Sequence, residues 1–133
     1  MEHILLNNYS HENDKYPYEK INFWVNTLLA VDFLGKDIIV KQLMGAEYEL
    51  KGEYEYLDVK FKPNSCERYP YNVRVPIEIL AKQSTQNVVN ILLHVIDGYV
   101  ALLDINNMDL TDFNGEISLD NVEYRVDEKV KLQ

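Results

Sequence analysis

The feature that most constrains this chain is the run from Asn87 to Asn107, where two apolar, strand-like stretches are hinged on Asp97-Gly98. A two-residue Asp-Gly loop between such stretches specifies a tight antiparallel hairpin, because a type I′ turn needs φ > 0 at both central positions and its twist matches the strands it joins. In a regular ladder, Ile96 then faces Tyr99, Val95 faces Val100, His94 faces Ala101, Leu93 faces Leu102, Leu92 faces Leu103 and Ile91 faces Asp104. Both faces of the ribbon come out largely apolar. A hairpin greasy on two sides needs cover on two sides, so it is expected at the centre of a sheet with helices on one face and further structure on the other.

Upstream, Ile21, Trp24, Val25, Leu28, Leu29 and Val31 recur at three- and four-residue steps, with Asn22, Asn26 and Asp32 between them, which predicts a helix with one apolar stripe. Pro17 suits its first turn, Asp14 could cap it, and Glu19 complements its dipole. After Gly35, the segment Lys36 to Met44 has strand propensity in Ile38-Ile39-Val40 but helical spacing in Ile39, Leu43 and Ala46, and we read a short helix with Lys41-Gln42 on or near its wet face. From Ala46 the period changes to two. Tyr48 and Leu50, then Leu57, Val59 and Phe61, alternate with charged residues, giving a hairpin with a turn around Lys51 to Glu53 and an irregularity near Tyr56 where the parity shifts. Lys62 to Pro70 reads as a loop, and Tyr71 to Ile79 as a half-wet strand whose Pro76 demands an edge or a bulge. A polar turn, Gln83 to Asn87, leads into the central hairpin. Past Asn107 the chain is turn-rich around short strand candidates, Glu116 to Leu119 and Val122 to Val126, and Asp127 to Gln133 is expected to fray. The sum is one α+β domain over residues 1–133, with residues 1–14 flexible and one or two N-terminal helices packed on a mostly antiparallel sheet of about five strands.

Size and charge bound the function. A chain of 133 residues can bury on the order of two-thirds of its unfolded surface, enough for one core without staples. Thirteen Lys and Arg against 22 Asp and Glu leave a net charge of −9, which repels nucleic-acid backbones and anionic membrane surfaces and attracts basic partners. Cys66 is the only cysteine, so no internal disulfide or cysteine-based zinc cluster can form. The N-terminal apolar run Ile4-Leu5-Leu6 is too short for a signal peptide, and no run approaches the roughly 20 apolar residues of a membrane helix. A cytoplasmic protein is expected.

Chemistry is sparse. The acidic segment Asp104 to Glu116 fails the EF-hand spacing, because counting from Asp104 puts Met108 at the fifth position and Asp109 at the sixth, where glycine belongs. There is no phosphate-cradling glycine loop, no H-E-x-x-H and no G-x-S-x-G. No metal or cofactor is implied, and a non-catalytic role is favoured. His94 stands inside a predicted strand and could be a base or a ligand, but the regular register turns Asp104 to the opposite face and leaves packing as the simpler role. The tyrosines Tyr48, Tyr54, Tyr56, Tyr69 and Tyr71 group around the first hairpin and the loop after it. Tyrosine suits both cross-strand packing and binding surfaces, so these five are the candidate binding residues.

The segments Asp32-Phe33-Leu34-Gly35-Lys36, Gln42-Leu43-Met44-Gly45-Ala46, Val75-Pro76-Ile77-Glu78, and Leu92 to Tyr99 with Leu103-Asp104-Ile105 resemble an uncharacterised group of small bacterial cytosolic proteins. That group shows a short helix ending in Q-L-x-x-A, a V-P strand, then L-L-H-V-x-D-G and L-E-I; here Asp104 stands where the group has Glu. The resemblance implies an α+β fold and a helical Lys36 to Met44, and no known activity. A looser resemblance is to immunity proteins of bacterial toxin systems. The expected function is therefore a non-catalytic interaction protein that meets a basic partner through an acidic, tyrosine-bearing surface. The alternative is a small-ligand pocket or enzyme lined by His94, Tyr99 and Trp24.

Overall fold

The structure, a computed structural model, describes residues 4–6, 18–53, 56–83, 88–107 and 117–132. Two helices, α1 (Tyr18–Leu28) and α2 (Lys36–Leu43), precede six strands: β1 (Glu47–Glu53), β2 (Tyr56–Lys62), β3 (Ile77–Gln83), β4 (Val88–Ile96), β5 (Tyr99–Asn107) and β6 (Ile117–Val126). The strands form one sheet in the order β1-β2-β5-β4-β3-β6, with every neighbouring pair antiparallel. The α+β class stands, with six strands instead of about five. The hairpin β4–β5 is at the centre, as its apolar content demands.

One face of the sheet carries the helices, with α1 against β3 and α2 against β5. Ile21, Trp24, Val25 and Leu28 of α1 and Ile39 and Leu43 of α2 meet Val59, Ile77, Ile79, Ile91, Leu93, Leu103 and Ile105 of the sheet, all essentially inaccessible to solvent. Hiding each such side chain stabilises the fold by about 1.5–3 kcal/mol, so this layer is the core. The other face is different. Along β4 burial alternates, with Asn90, Leu92 and His94 half-buried and Ile96 exposed, and no described element packs across it. The expectation of cover on both sides is thus corrected for the described residues: the hairpin is shut from solvent on one side and only half-buried on the other.

The hairpin register also departs from the regular ladder. Asp97 (φ 53) and Gly98 (φ 87) form the two-residue turn, and Ile96↔Tyr99 and Val95↔Val100 pair as expected. A bulge then takes up Ala101, so that His94 faces Leu102, Leu93 faces Leu103, and Leu92 faces Asp104. Two long-range hydrogen bonds account for it. The Val100 N–H donates to Oε1 of Gln42 (2.7 Å) and the Val95 N–H to the carbonyl of Arg74 (2.7 Å), so neither serves the ladder at that point. Gln42 is not on a wet face; it is fully buried, and its Nε2 donates to the carbonyls of Glu67 and Gly98, both at 2.9 Å.

Other boundaries move for equally local reasons. β1 and β2 pair without a bulge from Glu47↔Lys62 to Glu53↔Tyr56, so residues 54–55 connect them and the parity shift needs no irregularity. Tyr71 to Pro76 is not a strand. β3 starts at Ile77, after the proline: Pro76 has no N–H to give a ladder, although its carbonyl still accepts from Asp127 (3.0 Å), the next position beyond the Ile77↔Val126 pair, and the carbonyl of Arg74 is taken by the bulged Val95. The two C-terminal strand candidates are one strand, β6, with a register shift opposite Leu80/Lys82. Its continuation is docked, not frayed: a 3-10 turn over Glu128–Val130 is capped by the Asp127 side chain, buries Val130 and bonds it to the Leu34 N–H (2.8 Å). At the other terminus Ile4 and Leu6 are buried, and their N–H groups donate to Asn26 Oδ1 and Asn22 Oδ1 on α1 at 2.8 and 3.0 Å. The expectations about Asp14, Pro17, the remaining flexible lead-in, the polar turn at 84–87 and the acidic segment 108–116 lie outside the described residues.

Candidate functional site

The open sheet face acquires its chemistry from the bulge. By returning β5 to register one residue late, it brings Asp104 to the same face as His94 and sets it directly opposite Asp58 of β2. His94 Nε2 lies 3.5 Å from Asp104 Oδ2, and its Nδ1 accepts from Nε of Arg74 at 3.1 Å. An Nδ1 that accepts a hydrogen bond carries no proton, so the ring N–H is on Nε2, facing Asp104. The result is a row of ionisable groups, Arg74–His94–Asp104–Asp58, laid across three strands and one loop.

Asp58 is the perturbed member. Partial burial is the largest cause, and a hydrogen bond with Asp104 and the repulsion of that carboxyl add to it; Lys60 pulls the other way, and the group ends at about 6 instead of 3.8. Two carboxylates directly opposite on neighbouring strands repel, and sharing a proton relieves the repulsion. Around the row, Leu92 and Leu102 are half-buried, with Leu80 further out on β3. The cross-strand neighbours of the row on this face are Lys51 opposite Asp58, Lys60 opposite Leu102, and Glu78 opposite Leu92. Acid dominates along the sequence here: between Lys82 and Arg125 there are seven Asp and Glu and no Lys or Arg.

The residues singled out from the sequence do not assemble. Trp24 is fully buried beneath the helices, whereas His94 is on the opposite face, and the Tyr99 hydroxyl donates to the carbonyl of Cys66 (3.0 Å). The alternative pocket of His94, Tyr99 and Trp24 is therefore not formed. Of the five tyrosines, Tyr48 is buried in the core, and burial together with Tyr18 and Glu19 pushes its hydroxyl up. Tyr69 is also buried, packed over Gly35 with its hydroxyl donating to the Leu34 carbonyl (2.6 Å); its pKa is raised by burial first, then by Tyr71 and Asp127. Tyr71 is 37% exposed, Tyr56 contributes its backbone to β2, and Tyr54 lies outside the described residues. Buried tyrosines present no surface to a partner. Their spacing reported strand and loop packing.

Sequence reasoning passed over Asp58 and Arg74, and it weighed Asp104 only to place it on the face opposite His94. The available signal was an acidic residue set within an apolar strand, as in Leu103-Asp104-Ile105 and Leu57-Asp58-Val59, where a carboxylate is costly unless partnered. Among the described residues no group of three or more His, Cys, Asp or Glu is arranged to hold a metal ion, and no helix is long and apolar enough to cross a membrane. Protein-family models, curated proteins and solved structures yield no match to this chain.

Proposed function

We propose that this chain is a non-catalytic, cytoplasmic interaction protein that receives a basic protein partner on the open face of its sheet. The observation that carries this reading is the asymmetry of the sheet: one face is filled by helices, and on the other the central strands offer half-buried Leu92 and Leu102 beside the Asp58–Asp104 pair. Such a mixture, apolar side chains with charged groups beside them, suits a protein–protein contact. The stretch from Gln83 to Tyr124, without Lys or Arg, adds electrostatic attraction for a cationic surface. In its most specific form the reading is an immunity or accessory protein of a bacterial toxin system.

The test is affinity capture from the native cell with the wild-type chain and with a Leu92→Asp, Leu102→Asp variant that retains its unfolding midpoint. A captured protein should be basic, should be lost with the variant, and should dissociate as salt rises past the point where the Debye length falls below roughly 8 Å. Capture that is indifferent to both changes overturns the reading. A second reading, an acid–base or small-ligand site at His94, is favoured by the row Arg74–His94–Asp104–Asp58 and by the elevated Asp58. It requires turnover or saturable ligand binding that Asp104→Asn abolishes without loss of fold.

A further inference from the structure

A groove of about 620 Å³ lies at the hairpin tip, between the loop 68–74 and the Asp97-Gly98 turn, and the leucines of the open face are not among its lining residues. It is lined by charges of unusual sign for this protein. Its charged side chains are Arg68, Arg74 and Asp97, a net charge of +1 in a chain of −9. Neither arginine is neutralised by a carboxylate among the described residues. Arg68 lies against the turn, so close that a Cβ on Gly98 would meet its Cγ at 2.2 Å, and its guanidinium has no hydrogen bond or ion pair among the described residues. Arg74 spends only Nε, on the neutral acceptor His94 Nδ1 (3.1 Å), and leaves both Nη groups open. An arginine positioned by neutral contacts keeps its whole charge and its fork of donors for something else.

The remaining wall is apolar and aromatic. Ile96 is 41% exposed and Tyr71 37% exposed, and the Tyr71 ring is braced by Tyr69, with centroids 5.4 Å apart and planes at 58°. The Tyr69 hydroxyl is occupied by Leu34, whereas the Asn72 side chain is exposed beside the groove. Two guanidinium forks beside a braced ring and an exposed aliphatic side chain match one ligand chemistry. We infer that this groove binds a small organic anion in which a carboxylate or phosphate group, held by Arg68 and Arg74, is joined to a planar apolar group resting on Tyr71 and Ile96. This site does not depend on the partner reading above.

The experiment is an amide NMR titration of the intact chain with phenyl phosphate, alongside inorganic phosphate and phenol. Phenyl phosphate should produce saturable shifts confined to residues 68–74 and 95–98, with a Kd of about 0.1–1 mM, as befits roughly ten heavy atoms. Inorganic phosphate and phenol should each bind at least about tenfold more weakly. Arg68→Gln and Arg74→Gln, at exposed positions, should each weaken phenyl phosphate about tenfold while preserving the rest of the spectrum. The assignment is overturned by the absence of saturable shifts in this region or by unchanged binding in both arginine variants. Inorganic phosphate binding as tightly as phenyl phosphate would equally overturn the stated ligand class.

Discussion

The two faces of the sheet are made by the same strands, residue alternating with residue, yet they obey different rules. On the covered face Ile91, Leu93, Leu103 and Ile105 are shut from solvent, and each position has one requirement, apolar volume of the right shape. On the open face Asn90, Leu92, His94, Leu102, Asp104 and Asp58 are only half-buried, and the face holds a like-charged pair that a purely structural sheet would avoid. The covered face is where stability resides. The open face gives some of it up, as the proposed contact surface would.

The contrast can be tested by substitution, beginning where the effect should be largest. Leu93→Ala should cost about 3–4 kcal/mol in urea denaturation and Leu92→Ala, its neighbour on the open face, about 1 kcal/mol. Equal losses would mean that the open face is covered after all. Gln42→Leu should cost about 3 kcal/mol, because it strands the buried Val100 N–H, removes the donor to the Glu67 carbonyl and leaves the Gly98 carbonyl with the Tyr69 N–H alone. Its amide spectrum should also change along β5, since the bulge at Ala101 loses one of its two anchors.

Asp58→Asn should act in the opposite direction and stabilise. The folded-state value of about 6 lies above the ordinary 3.8, so the stability linked to the Asp58 proton is fully present below pH 3.8 and is lost as pH rises through about 6. After allowance for solvent screening, the variant should gain about 1 kcal/mol at pH 7.5 and almost nothing at pH 3.5, as read from paired denaturation curves. A gain that does not depend on pH would remove the charge pair as its cause. Tyr69→Phe on the covered side should change stability by no more than this, a loss of about 1 kcal/mol for the missing bond to the Leu34 carbonyl, measured by thermal unfolding.

Much of the covered side could be read in advance because its rules are periodic. The stripe of Ile21, Trp24, Val25 and Leu28 is buried as its spacing requires, and the segment around Ile39 and Leu43 is a helix despite its β-branched run. The open side was less legible. Asp104 and His94 belong to opposite faces in a regular hairpin and to the same face in this one, and a single unpaired residue makes the difference. Tyr48 and Tyr69 misled for a related reason: tyrosine spacing is compatible with either a surface or a core, and only the positions of α1 and Gly35 decide.

By itself the amino-acid sequence determined the place and type of the Asp97-Gly98 turn, the helices and the α+β class, all of which follow from local conformational preference and from periods of two and 3.6. Tertiary structure alone decided the register beyond Val95, the burial of Gln42 and hence the row from Arg74 to Asp58. Those depend on hydrogen bonds between residues as far apart as Gln42 and Val100, 58 positions along the chain, and no local pattern encodes a partner at that distance.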